Sequence, residues 1–228
     1  MSTKVGIIAE GPIDYHLIPA LLERIARDRA GYDWPVRPDD LTQLFPVRKR
    51  GHGGVLDMVR KMVEALSHEV YDHAFYVILL DRKTRAVQEE VRQLISGHDR
   101  FVMGVAIEEI EAWWLGDRRN TLAWTNLAPV PPAHCLYAAA GYHAESDADP
   151  KVTLDELTRE SDRFDRFYGE GNVDMAEEFA EEYWKNHARL DDIRSQCSAG
   201  YVPFEDATTQ HFRNAANLAS LRSRRRQG

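Results

Sequence analysis

AFYVILL, at positions 74–80, is the longest uninterrupted apolar stretch in this sequence of 228 residues, and Asp81 follows it directly. A short, wholly apolar run of this kind predicts a strand that is buried on both faces, as in the middle of a parallel sheet. Seven residues are far fewer than the roughly 20 that a membrane-spanning helix needs. The stretch therefore predicts the centre of an α/β fold and gives no sign of a membrane protein.

Strand and helix patterns alternate on both sides of this stretch. Further strands are predicted over 4–9, 41–47 and 101–107, where Pro46 makes the second one short or places it at an edge. Helical periodicity is found over 13–29, 53–66, 85–95 and 108–115, and Pro19 should kink the first helix or delay its start. The repeated alternation predicts a mostly parallel four-stranded sheet flanked by helices.

The pattern changes after residue 117. Helices are predicted over 134–141, 175–193 and 206–221, so residues 1–117 form a predicted α/β core and residues 118–228 a mainly helical C-terminal extension packed on it. Trp113, Trp114 and Trp124 lie around this boundary and are expected to pack between the two parts.

Charge and cysteine content narrow the functional classes. The formal net charge is −8, but residues 154–192 alone carry 13 acids and 5 bases, and the remainder balances at 24 of each. The overall charge disfavours a protein that coats nucleic acid, yet leaves room for a local basic surface. Two cysteines without a CxxC pair indicate neither a disulfide framework nor a zinc site. With no signal-peptide pattern, a cytoplasmic protein is expected.

Acidic residues follow three of the four predicted strands. Glu10 and Asp14 follow the first strand and Asp81 the third, whereas the fourth is followed by Glu108, Glu109 and Glu111. Parallel strands end at one edge of a sheet, and carboxylates gathered there repel one another unless a cation balances them. Mg²⁺ or Mn²⁺ is the ion that such oxygen ligands favour.

Simpler interpretations of these acids stay open. Asp14 and Glu108 would also be favoured at a helix N-terminus without any ligand, and Asp81 could be a solvated loop residue. If the helix has begun at residue 108, Glu108 and Glu111 share a face; only an uncoiled entry brings Glu109 and Glu111 together.

A basic, glycine-containing segment precedes the second helix. It reads RKRGHGG over 48–54, and its charged or titratable members are Arg48, Lys49, Arg50 and His52. Glycines let backbone N–H groups approach a phosphate, and the bases add a favourable field, although the Walker A spacing is absent. Arg82, which follows Asp81, is expected to contribute to the same binding. A solvated charged turn is the alternative.

Three segments resemble the Toprim fold, in the branch of the OLD-type (overcoming lysogenization defect) nucleases. They are AEGPIDYHLIPALLERI at 9–25, FYVILLDRK at 75–83 and VAIEEIEAWWLGD at 105–117. The likeness is greatest to small bacterial Toprim-like proteins, some of which belong to phage-defence systems and work beside an ABC-type ATPase. It covers about residues 4–117 and leaves the second half unexplained.

The resemblance implies roles for particular residues. Glu10 matches the Toprim glutamate that acts as general acid/base or metal ligand, Asp14 matches the second acid of OLD-type members, and Asp81 matches the first aspartate of the Asp-x-Asp motif. Lys83 stands where that motif has its second aspartate. Either Glu109 and Glu111 replace this ligand or one metal site is lost.

The expected function is a Mg²⁺- or Mn²⁺-dependent nuclease that acts on DNA or RNA. Glu10, Asp14, Asp81, Glu109 and Glu111 would hold metal, with Glu10 handling protons and Lys83 neutralising the scissile phosphate. Two alternatives remain. The first is a catalytically reduced Toprim-like interaction or regulatory subunit. The second, ranked last, is a phosphoacceptor receiver domain, which normally carries a hydroxyl residue after its fourth strand, where this chain has glutamates.

Overall fold

A four-stranded, all-parallel sheet forms the centre of the protein in a computed structural model that describes residues 2–41, 51–66, 72–82, 85–128, 136–139 and 141–225. The strands are β1 (Thr3–Ile8), β2 (Val36–Asp40), β3 (Phe75–Asp81) and β4 (Phe101–Ala106), in the spatial order β2-β1-β3-β4. The helices that flank the sheet are α1 (Asp14–Asp28), α2 (His52–Leu66) and α3 (Arg85–Ile95). The predicted α/β class and the four-stranded parallel sheet are confirmed.

The helical C-terminal part is also present. After β4 come α4 (Glu111–Gly116), α5 (Arg118–Trp124), α6 (Pro150–Glu160), α7 (Tyr168–Phe179), α8 (Lys185–His187), α9 (Leu190–Gln196) and α10 (Tyr201–Arg225), with a π-helical segment over Ala180–Trp184. The long helix predicted over 175–193 is therefore wrong as one element, since it divides among α7, the π-helical segment, α8 and α9. The last helix begins at Tyr201 instead of residue 206. In the described part of 134–141 there is only a short 3-10 helix, Leu136–Ala138.

Strand β3 pairs with β1 on one side and with β4 on the other, and its first six residues are buried. Its side chains alternate between two apolar clusters: Phe75, Val77 and Leu79 belong to one, while Tyr76, Ile78 and Leu80 belong to the other. This is the two-residue period of a strand covered on both faces. Helices α2 and α3 supply the second cluster, and α1 with the C-terminal helices supplies the first.

The second strand lies upstream of its predicted place. Strand β2 is Val36–Asp40, whereas the prediction was 41–47; residues 42–47 are outside the described residues. Strand β2 pairs with β1 at the edge of the sheet, and Pro38 sits opposite Val5. An edge strand tolerates proline and charge, so its sequence, VRPDD, lacks the apolar pattern of a buried strand.

Helix α1 does not start late, contrary to the prediction made from Pro19. It begins at Asp14 and continues through Pro19. The proline removes one N–H that would have bonded to the carbonyl of Tyr15. Packing offsets that loss, because Leu17, Leu21 and Ile25 on the same helix are fully buried.

Aromatic packing joins the sheet to the helical part. Trp113, Trp114 and Trp124 are fully buried, which confirms their predicted packing role. The ring of Trp114 stacks on Phe179 with centroids 4.4 Å apart, and Trp113 meets Phe204 at 5.2 Å. One continuous apolar cluster therefore includes residues from both 1–117 and 118–228. Among the helices of the described residues, none has the length and apolar character of a membrane span.

Trp114→Ala should lower the free energy of unfolding by about 3–5 kcal/mol, because it leaves a cavity where the α/β core meets the helical part. The matched control is Trp34→Ala, at a tryptophan that is 36% exposed; we expect a loss of about 1 kcal/mol or less there. Urea unfolding followed by far-UV circular dichroism measures both. Equal losses would contradict the packing role of Trp114.

Candidate carboxylate site

The carboxyl ends of β1 and β3 are joined through a side chain. Glu10 follows β1, and its Oε1 accepts a hydrogen bond of 3.1 Å from the backbone N–H of Asp81, the last residue of β3. Because the two strands are parallel neighbours, both acids lie at the same edge of the sheet. The strand ends thus bring Glu10 and Asp81 together, as their sequence positions predicted.

Asp14 adds a third carboxylate at the start of α1. It is 7% exposed, and its Oδ2 accepts a hydrogen bond of 2.9 Å from the N–H of Gly11. Burial raises the pKa of Asp14 to about 7; the Gly11 bond opposes this rise, and the charges of Glu111 and Glu10 add to it. Asp14 is therefore electrostatically coupled to Glu10, at its own strand end, and to Glu111, which follows β4.

The pKa of Asp81 is raised further than that of Asp14. Burial, and then the charges of Asp14, Glu10 and Glu111, raise its pKa to about 8. At neutral pH this carboxyl group holds a proton in a cluster that lacks enough positive charge. The repulsion expected from the sequence is therefore present at this edge.

The three glutamates that follow β4 differ in their backbone conformation and in their partners. Helix α4 begins at Glu111, not at residue 108 as predicted, and Glu108 has a left-handed backbone with φ of 63°. The Glu108 carboxylate lies 3.5 Å from Arg82 Nη1, while Glu109 and Glu111 both approach Lys151. The uncoiled entry thus brings Glu109 and Glu111 together and places Glu108 elsewhere.

Lys151, in the first turn of α6, completes the cluster from the helical part of the chain. Its Nζ is 3.1 Å from Glu109 Oε1 and 3.9 Å from Glu111 Oε1. Burial lowers the pKa of Lys151, but the charges of Glu111 and Glu109 outweigh it, so the pKa is raised and the ammonium stays charged. Sequence reasoning missed Lys151. Asp149 and Pro150 mark the helix start there, yet nothing in the pattern links that start to a sheet edge 40 residues away.

Tyr168 is the second contribution from the helical part. This side chain is 1% exposed, as is Glu111, and its hydroxyl donates a hydrogen bond of 2.6 Å to Glu111 Oε1. Burial raises the pKa of Glu111, whereas Lys151 and the Tyr168 bond oppose that rise. Tyr168 thus fixes the orientation of Glu111 and supplies the hydrogen bond that a buried carboxylate requires.

The structure describes only some of the basic residues that were predicted to bind nucleic acid. Arg48, Lys49, Arg50 and Lys83 lie outside the described residues. His52 is the first residue of α2, but its side chain is outside what the structure describes. Arg82 is at the rim of the carboxylate edge, beside Glu108, with 55% of its side chain exposed.

The donor chemistry of the cluster suits a hard divalent cation. All of its acidic groups are carboxylates, the ligands that Mg²⁺ and Mn²⁺ prefer, and Asp14 and Asp81 hold protons that a cation could replace. With the side chains as they stand, however, no three His, Cys, Asp or Glu residues in the described part form a metal-binding group. Lys151 occupies the position between Glu109 and Glu111 at which positive charge is needed.

Comparison with known proteins found no match to a family model, to a curated protein or to a solved structure. The site is therefore interpreted from its own geometry.

In metal-free buffer, stability should fall as the pH rises. The folded chain holds protons on Asp81 and Asp14 that the unfolded chain releases above about pH 4. Their contribution is complete below that pH and is lost as the pH approaches about 8, the pKa of folded Asp81. Asp81→Asn should remove much of this fall and be more stable than the wild type at about pH 9.

Urea unfolding with EDTA at about pH 6 and pH 9 checks this expectation. Asp72→Asn is the matched control, because Asp72 is exposed and its hydrogen bond to Lys4 lowers its pKa. Equal pH dependence in wild type and Asp81→Asn would contradict the raised pKa of Asp81.

The backbone of Glu108 gives a separate prediction. Glu108→Gly and Glu108→Ala both remove the contact with Arg82, but only glycine adopts the left-handed backbone without steric cost. We expect the glycine variant to be more stable than the alanine variant by about 1 kcal/mol. Thermal or urea unfolding compares the stability of the two variants. A more stable alanine variant would contradict the steric cost of the left-handed backbone at residue 108.

Proposed function

We propose that this protein is a Mg²⁺- or Mn²⁺-dependent nuclease with a Toprim-like core, as the sequence resemblance implies. One observation carries the proposal: four carboxylates from three strand ends, Glu10, Asp14, Asp81 and Glu111, are coupled at the edge where open parallel sheets bind their ligands. A purely structural cluster has no need for so many like charges in one partly buried place.

Each acidic residue has a role in this proposal. Glu10, Asp14, Asp81, Glu109 and Glu111 would supply oxygen ligands, and we assign to Glu10 the transfer of a proton during cleavage, as the resemblance implies. When bound, the divalent ion activates water and offsets the charge that develops on the phosphate. Tyr168 holds Glu111 in place by its hydrogen bond.

The proposed substrate class rests on the basic residues of the sequence and, among the described ones, on Arg82. DNA or RNA would be held by Arg48, Lys49, Arg50, His52 and Arg82, and Lys83 would neutralise charge on the scissile phosphate. Arg82 is supported by its exposed side chain beside Glu108 at the rim of the cluster. Contacts of this type recognise the phosphate backbone and not the base sequence.

The proposed cellular role and partner protein rest on the sequence resemblance alone. We infer a cytoplasmic effector of antiviral defence that works with an ABC-type ATPase partner. The acidic stretch over residues 154–192 and the basic segment over 48–54 are opposite in charge, so they are the first parts of the sequence to vary in a test for that partner.

A second candidate function is supported by Lys151. Its ammonium already balances Glu109 and Glu111, which fits a catalytically reduced Toprim-like subunit that interacts with or regulates an ATPase. The two candidates differ in one property: the nuclease must bind a divalent cation, whereas the adaptor has no such requirement.

The nuclease proposal predicts Mn²⁺-dependent cleavage of plasmid DNA or of a long RNA by the purified chain, abolished by EDTA. Glu10→Gln and Asp81→Asn preserve side-chain size and should each reduce the rate by about a hundredfold or more. Asp72→Asn, at an exposed carboxylate paired with Lys4, should cleave like the wild type. Electrophoresis of the products measures the rates.

Cleavage that persists when Glu10 and Asp81 are both replaced would dismiss these residues as the active site. Retained stability of Asp81→Asn would show that a lost rate reflects chemistry and not unfolding. No cleavage, together with no Mn²⁺ binding, would favour the adaptor.

A further inference from the structure

An ion pair links the chain that follows β3 to the chain that follows β4. Arg82 comes directly after β3, and its Nη1 lies 3.5 Å from Oε1 of Glu108, which follows β4. The two strands are parallel neighbours, so the pair lies at the same edge of the sheet as the carboxylate cluster. Asp81 precedes Arg82 and Glu109 follows Glu108, which places the pair beside two members of that cluster.

Glu108 contacts Arg82 from a backbone conformation that residues with side chains rarely adopt. Its φ is 63°, and Asn126 is the only other non-glycine residue with a positive φ in the described part of the chain. Asparagine tolerates this conformation, whereas glutamate adopts it at a steric cost that glycine would avoid. Residues kept in such conformations cluster at functional sites. The carboxylate of Glu108, with its contact to Arg82, is what a glycine at this position would lose.

The ion pair is weak enough for another anion to replace it. It is a single contact of 3.5 Å, and 55% of the Arg82 side chain and 22% of the Glu108 side chain are exposed. Water and salt screen such a pair, so it contributes little to stability. A phosphodiester offers two oxygens to the guanidinium, which donates two parallel hydrogen bonds to a group of this shape. Phosphate is therefore a stronger partner for Arg82 than Glu108 is in the observed geometry.

We infer that Glu108 is a positioning residue that competes with the phosphates of a nucleic-acid substrate for Arg82, and so lowers the affinity of the site for that substrate. This inference rests on the proposed function, because it takes DNA or RNA as the substrate and Arg82 as a phosphate contact. It adds a regulator of affinity to that function. Arg82 is paired with Glu108 in the free protein and is released by a ligand that replaces the carboxylate.

Two effects of Glu108 on a bound phosphate have to be separated. Its negative charge repels any phosphate nearby, whether or not Arg82 is present, whereas the competition requires Arg82. Replacing Glu108 in chains with and without Arg82 therefore distinguishes competition from simple repulsion.

The fluorescence anisotropy of labelled DNA and RNA oligonucleotides, measured in EDTA so that no cleavage occurs, tests the inference. Glu108→Gln should bind about threefold more tightly than the wild type, and Arg82→Gln about threefold or more weakly. In the Arg82→Gln chain, adding Glu108→Gln should change the affinity by less than about 1.5-fold. Glu89→Gln is the matched control, at an exposed pair with Arg92 of 3.6 Å on α3, and should bind like the wild type.

Glu108→Gly separates the carboxylate from the backbone. Both Glu108→Gly and Glu108→Gln free Arg82, but only the glycine removes the steric cost of the left-handed conformation. The two variants should bind nucleic acid with affinities within about twofold of each other, even where their stabilities differ. Thermal unfolding in EDTA shows which variants are folded, and the glycine variant serves as the test if Glu108→Gln is not.

The possible results separate this inference from the proposed function. Unchanged affinity in the folded Glu108 variants, or equal tightening with and without Arg82, would overturn the competition, while Mn²⁺-dependent cleavage would still support the nuclease. The expected affinities without any cleavage would support the competition and overturn the nuclease. If neither the wild type nor Glu108→Gln binds DNA or RNA, the competition is overturned, and the absence of cleavage as well would overturn both.

Discussion

Repulsion among carboxylates at one edge of the sheet is the constraint on which the candidate site depends. Burial, together with this repulsion, keeps protons on Asp14 and Asp81 near neutral pH, and Glu109 and Glu111 approach Lys151. Both responses reduce negative charge where burial makes it costly. A bound divalent cation would reduce it further, which is why the same arrangement that lowers stability is suited to a metal.

The fold creates this constraint through strand direction. Strands β1, β3 and β4 run parallel, so the residues that follow them gather at one edge regardless of their separation in sequence. Burial of β3 on both faces brings Asp81 close to apolar surroundings, and the left-handed Glu108 delays α4 until Glu111. Small backbone features at strand ends thus decide which acids meet.

The helical part of the chain is a component of the site as well as a packing layer. Trp113, Trp114 and Trp124 bury the boundary between it and the sheet, which fixes α6 and α7 relative to the strand ends. Those helices then supply Lys151 and Tyr168 to Glu111. The stability of the aromatic core and the electrostatics of the carboxylate edge are therefore linked through the positions of α6 and α7.

The sequence by itself determined the strand and helix alternation, the central place of residues 74–80 and the acids at three strand ends. These features follow from the spacing of apolar residues and from the order of elements along the chain, both of which are evident in short stretches of sequence. The position of β2 was not predictable in this way, because an edge strand carries no apolar signature. Only the tertiary structure decided that Glu109 accompanies Glu111 and that Lys151 and Tyr168 join them. Such contacts depend on how distant helices pack, and packing leaves no periodic signal in the residues that it brings together.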